Sequence, residues 1–178
     1  SFCQFEDKMK DEGVVKGVVI KDGNEIQGYI KKTGTTWTNG KSFDAPWQFQ
    51  DGIKFIPKDV FETTEKIKGK MYESIEPKDY SGFRYEDLIF ESVKYADMSA
   101  VGMGMMGKQM FMRRISEDKI SIFHYFSLPP SVVGSEGFEP YYKECGTPQL
   151  VSRVGKEGKL KLVNDMNIEK ELADCPMV

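Results

Sequence analysis

"GVVIKDGNEIQGYIKK", residues 17–32, decides the fold class. Apolar and polar side chains alternate on both sides of "KDGN", and Asp22-Gly23 can supply the positive φ that a two-residue hairpin turn requires. The stretch reads as a β-hairpin. Because strand side chains point alternately to opposite faces, each of its strands offers one face to a core.

The segments after this hairpin repeat the pattern. "TGTTWTNGKSFDAPWQFQDG", residues 33–52, is rich in Gly, Thr and Asn and reads as a long loop or irregular edge whose Trp37 and Trp47 pack back onto a sheet. "IKFIP" is a short strand, "PKDVFETTEKI" a brief helical turn with Asp59 as candidate cap, and "KGKMYESI" a return to strand. "FRYEDLIFESVKY", residues 83–95, has strand composition but broken alternation, which predicts a strand buried on both faces or carrying a bulge. "KQMFMRRI", the turn "SEDK" and "ISIFHYF" predict a second hairpin, with Ile120, Ile122, His124 and Phe126 on one face.

"SLPPSVVGSEGFEP" then interrupts the pattern and is the nearest thing to a linker. Beyond it come short strands in "YYKE", "QLVSRV" and "KLKLV", with Gly155 and Gly158 flanking a turn. "NIEKELADCPMV" alone has helical character, with Asp174 offering a later cap. The expected architecture is mainly β, an antiparallel sandwich or small barrel with a short C-terminal helix. Residues 5–126 form the main β-domain, and residues 127–178 a C-terminal hairpin and helix packed on it.

The 178 residues carry a formal net charge of −3, which gives no reason to expect a nucleic-acid surface. The longest apolar runs, "GVVI" and "DLIF", fall far short of the roughly 20 residues of a membrane helix. "SFCQ", residues 1–4, looks like the remnant of a secretory signal, which implies export. Phe2 fits a lipid-acceptor site at Cys3 poorly. Of the three cysteines, Cys145 and Cys175 then remain. In an oxidising compartment they could close a loop worth roughly 3–4 kcal/mol, or stand as two thiols; spacing alone does not choose.

"GMGMMG", residues 102–107, matches G-x-G-x-x-G to the letter. A dinucleotide site, however, needs a helix after the glycines, and here a strand follows. The kinase alternative lacks its lysine, H-R-D and D-F-G partners. Thioethers suit Cu(I), so Met103, Met105, Met106 and Met110 form a candidate copper set. Methionine is also ordinary packing material and frequent at adaptable binding surfaces, and the loop reads first as a packed or partner-facing one. His124, the one histidine, is expected to be half-buried and structural. The acidic pairs Glu86-Asp87 and Glu117-Asp118 are read as solvated strand or turn residues, and no nucleophile has a recognisable base.

The order of segments, "GVVIKDGNEIQGYI", then "IPKDVFE", then the late "ADCP", resembles a group of exported β-rich proteins of the Bacteroidota. That resemblance implies a periplasmic or outer-membrane-associated location and no particular activity. The methionine loop, the Trp37–Trp47 loop and "SLPPSVVGSEGF" have no counterpart in it, which makes them the places to look for a private function. The expected function is thus a non-enzymatic β-domain that binds a protein, as an accessory subunit of an outer-membrane complex, through Met103, Met105, Met106, Trp37 and Trp47. No cofactor is expected. Copper binding by the methionine loop, and carriage of a small apolar ligand in a barrel, are the alternatives.

Overall fold

A computed structural model describes residues 2–32, 35–36, 42–43, 48–96, 107–126, 149–156 and 158–165. The hairpin that decides the fold class forms as expected: β1 (Val14–Lys21) and β2 (Asn24–Lys31) pair from Val14–Lys31 to Lys21–Asn24. Asp22 at φ 51° and Gly23 at φ 77° make the turn. A two-stranded ribbon, β3 (Thr35–Thr36) and β4 (Ser42–Phe43), and a single helical turn, α2 (Gln48–Asp51), follow. β5 (Ile53–Pro57) then pairs with β2.

The helix after β5, α3 (Lys58–Thr63), is present, but its cap position is Pro57 rather than Asp59. Asp59 sits inside the first turn, where its charge favours the helix dipole instead. A 3-10 turn, Gly69–Met71, leads to β6 (Glu73–Ile75).

The stretch read as one imperfect strand is in fact a second tight hairpin, β7 (Gly82–Tyr85) and β8 (Leu88–Tyr95). Its turn is Glu86-Asp87, so these acids are not strand residues. Glu86 takes a positive φ of 51° without the Gly or Asn that would have signalled it. The hairpin of β9 (Lys108–Ser116) and β10 (Ile120–Tyr125) forms as expected, with a register shift between Ile122 and Phe123. β11 (Gln149–Val154) and β12 (Lys161–Leu162) complete the order.

Among the described residues, all strands but the β3–β4 ribbon belong to one ten-stranded sheet, ordered β12-β11-β10-β9-β8-β7-β1-β2-β5-β6 with antiparallel neighbours. The mainly β, antiparallel fold expected from the sequence is the one adopted. β11 and β12 extend the same sheet through the β10–β11 pair. Among the described residues its end strands, β6 and β12, are not hydrogen-bonded to each other. The expected C-terminal helix and the "YYKE" strand lie outside the described residues.

The sheet buries both faces, in different ways. One face is apolar across its centre, where Val15, Val19, Ile30, Phe55, Phe83, Phe90 and Phe111 cluster under Phe49 of α2. Phe83 and Phe90 stack at 4.4 Å, and Phe111 meets Phe83 edge-on at 5.1 Å. Glycines at the facing positions Gly17 and Gly28 make room for this layer. A Cβ on Gly28 would stand 2.3 Å from the Ile56 carbonyl oxygen and 2.4 Å from Phe55 Cζ.

The opposite face carries two separate apolar clusters. At one end Val14, Tyr29, Ile56 and Phe61 pack beneath Phe5 and Met9 of the N-terminal helix α1 (Phe2–Glu12), which composition did not announce. Lys8 of α1 donates to the carbonyls of Phe61 and Thr64, closing the C-terminus of α3. At the other end Val93, Met110, Met112, Phe123, Tyr125 and Val151 cluster. In β10 the more deeply buried row is therefore Ser121, Phe123 and Tyr125. Ile120, Ile122 and His124 share the other face, as expected, and are half-buried there.

Candidate functional site

Between those two clusters the same face of the sheet is lined by polar residues. The register puts Gln27, Val18 and Arg84 side by side across β2, β1 and β7, with Tyr29 opposite Lys16 one row over. Outer strands of such a triplet lie about 10 Å apart. α3 walls one side with Lys58 and Glu62, and Glu86 stands in the turn beyond β7. Together they line an open groove of about 380 Å³. That volume falls in the range of sites that take a small molecule or a few residues of a chain.

Several of its side chains are held in place. Tyr29, 1% exposed, donates its hydroxyl to Glu62 Oε1 at 2.8 Å, fixing the helix wall to the floor. Burial, and then the Glu62 hydrogen bond and charge, push the Tyr29 hydroxyl well above the ordinary tyrosine value. Arg84 reaches over β1 to Glu25 Oε2 on β2 at 2.6 Å. The ammonium of Lys16 lies 5.7 Å from the Phe5 ring centre.

The polar strip continues toward the second apolar cluster. Glu91 receives Arg153 at 2.8 Å and Arg114 at 3.2 Å through its two oxygens, and Arg114 also pairs with Glu117 at 2.8 Å. Arg153 lies over Phe123, so its guanidinium roofs the apolar cluster. A second hollow, about 480 Å³, opens beside β5 and β6 and is lined by Lys31, Asp51, Ile53, Lys54, Ile75 and Glu76 among others.

Of the residues singled out in the sequence, Met103, Met105, Met106, Trp37, Trp47, Cys145 and Cys175 lie outside the described residues. Met110 does not belong to a loop. It sits inside β9, 8% exposed, in the cluster with Tyr95 and Phe123, because strand alternation turns it inward. His124 is half-buried, as expected, with Phe126 edge-on at 6.2 Å. Burial, and next the Arg113 guanidinium opposite it, lower its pKa. Among the described residues no group of three His, Cys, Asp or Glu side chains converges as a metal site would need.

The groove residues were not found by sequence reasoning, because Lys16, Lys58 and Arg84 come together only through strand order and the placing of α3. No family model matches the chain, and neither a curated protein nor a solved structure matches it significantly. No helix among the described residues is long and apolar enough to cross a membrane.

Proposed function

We propose that the chain is a non-enzymatic β-domain, exported to the periplasm or the outer-membrane periphery, that works by holding a protein partner in the groove over β7, β1 and β2. The observation that carries this reading is the groove's lining. Charged and hydrogen-bonding groups from α3, three strands and a turn converge on one open hollow. Its Tyr29–Glu62 bond anchors a wall in advance of binding. A preformed polar surface of this kind recognises by complementarity of charge and hydrogen bonds, which favours specific association over wrong partners.

The test is photocrosslinking in the source cells, with a photoreactive residue at Gln27 on the groove floor or at Asp118 in the distant β9–β10 turn. One product of defined mass is expected from position 27, absent from position 118 and lost when Lys58→Glu is added. Absence of a product at 27, or the same products at both positions, overturns the reading.

A further inference from the structure

We infer that the groove takes a carboxylate, presented by an acidic residue in an extended segment of the partner protein. This rests on the reading of the groove as the partner's site and supplies the chemistry of what enters it.

The argument starts from which charges in the groove are already satisfied. Arg84 is paired with Glu25, and Glu62 accepts the Tyr29 hydroxyl. Lys58 precedes Glu62 by four residues on α3, the spacing at which helical ion pairs form. No such pair is made. Lys16, on the neighbouring floor, likewise has no carboxylate partner among the described residues. Lys16 and Lys58 thus line one hollow without an ion pair among the described residues, in a lining that also holds Glu62 and Glu86. A carboxylate placed between them gains a charge-assisted contact with each.

The same lining selects against a polyanion. Glu62 and Glu86 stand at the wall and at the end of the groove, so a repeating phosphate backbone would meet two negative charges along with the cations. A single carboxylate flanked by neutral or basic residues brings one negative charge rather than a row of them, so it can sit at the lysines and away from the two acids. The width also suits one extended chain. Three strands give a floor about 10 Å across, matching the space one strand needs beside its neighbours. Gln27, on the β2 side of that floor, carries an amide able to donate and accept at once, the arrangement by which Gln50 holds a backbone segment elsewhere in this protein.

The experiment titrates the isotope-labelled 178-residue chain with two nine-residue probe peptides, identical except for Glu or Gln at the central position and otherwise built of Gly, Ser and Lys. Saturable amide shifts are expected around Lys16, Gln27, Lys58 and Arg84. The Glu peptide should bind at least about tenfold more tightly than the Gln peptide, with affinity falling as salt rises. The double variant Lys16→Gln/Lys58→Gln should abolish that preference, and Lys119→Gln, far from the groove, should keep it. Equal affinity for the two peptides, or shifts outside the groove, overturns the inference. If crosslinking from position 27 succeeds while the peptides are not distinguished, the partner reading stands and the carboxylate falls. If the Glu peptide binds but crosslinking fails, the occupant is not a partner protein, and the inference as stated is overturned.

Discussion

Gln50 holds Phe126 by both halves of its backbone: the side-chain amide donates to the Phe126 carbonyl and accepts from the Phe126 N–H, each at 2.7 Å. Gln50 is 6% exposed and stands on α2, so this double bond ties the turn that covers the apolar face to the end of β10. Replacing it with Leu leaves two backbone groups without partners in a buried place. Gln50→Leu is expected to cost about 2–3 kcal/mol, read as a lower urea midpoint at unchanged slope. Amide exchange at Phe126 should accelerate in the same variant, which a purely global loss of stability would not single out.

The close approach over Gly28 predicts a cost that no neighbouring side chain can relieve. The Cβ of Gly28→Ala would meet the Ile56 carbonyl oxygen, which belongs to the ladder of β5, as well as the Phe55 ring. Overpacking of this kind costs about 1–3 kcal/mol, and the upper half of that range is expected because the obstacle includes backbone. Gly17→Ala meets the tip of Ile30 most closely, Cδ1 at 2.4 Å, with the Arg84 carbonyl oxygen further off at 2.9 Å. Its loss should be partly restored by Ile30→Val, whereas Phe55→Leu should restore little at Gly28. Urea unfolding of the single and double variants separates the two cases.

These two sites mark where the sequence is legible and where it is not. Residues 17–32 announce themselves because Asp22-Gly23 is a turn that chemistry alone specifies. The hairpin of β7 and β8 is hidden because Glu86 adopts the same left-handed conformation with no residue type to signal it. In β10 both faces carry large apolar side chains, so alternation cannot say that Ser121, Phe123 and Tyr125 face inward. The register shift at Ile122 adds to that ambiguity. The groove is illegible for a further reason. Lys16, Arg84 and Lys58 are ordinary surface charges in the sequence, and only the pairing of β7 with β1 and of β5 with β2 brings them to one hollow.

His124 gives stability a dependence on pH with a definite sign. Its folded pKa lies below the usual value of 6.5, burial being the larger cause and Arg113 the second. The unfolded chain therefore binds the proton more readily, and stability contributed by the neutral imidazole is present above about pH 6.5 and lost as pH falls through the folded value. Urea midpoints of the parent should drop between pH 7.5 and pH 5.5 more steeply than those of His124→Gln. Parallel curves would show that the imidazole has no such linkage.

Glu91 compensates two guanidiniums at once, and Arg153 is only 14% exposed at its side chain. Its Nε is buried with no hydrogen-bond partner among the described residues, so the Glu91 contact at the neighbouring nitrogen supports a group short of bonds there. Removing the carboxylate alone leaves that charge over Phe123 uncompensated. Glu91→Ala is expected to cost about 2–3 kcal/mol, below the 3–5 of fully buried pairs because all three side chains retain some water contact. Glu91→Met combined with Arg153→Met should lose less than Glu91→Ala, since it removes the stranded charge as well as its partner. A larger loss in the double variant, measured by thermal and urea unfolding, would contradict this account.

Glu86 sets stability against the groove. At φ 51° an L side chain crowds its own backbone, a strain of about 1–2 kcal/mol that glycine does not have. Glycine also gives the unfolded chain more freedom, which offsets about 0.5–1 kcal/mol of that relief. Glu86→Gly is therefore expected to raise stability by up to about 1 kcal/mol, while Glu86→Ala, which keeps the strain and loses only the carboxylate, should leave it near the parent. Both variants remove the negative charge at the groove's end. If that charge excludes polyanions, both should bind a short polyphosphate more strongly than the parent does, and by a similar factor. Thermal melts then report the strain and phosphate titrations report the charge. A gain in phosphate affinity confined to the glycine variant would assign it to loosened backbone rather than to the lost carboxylate.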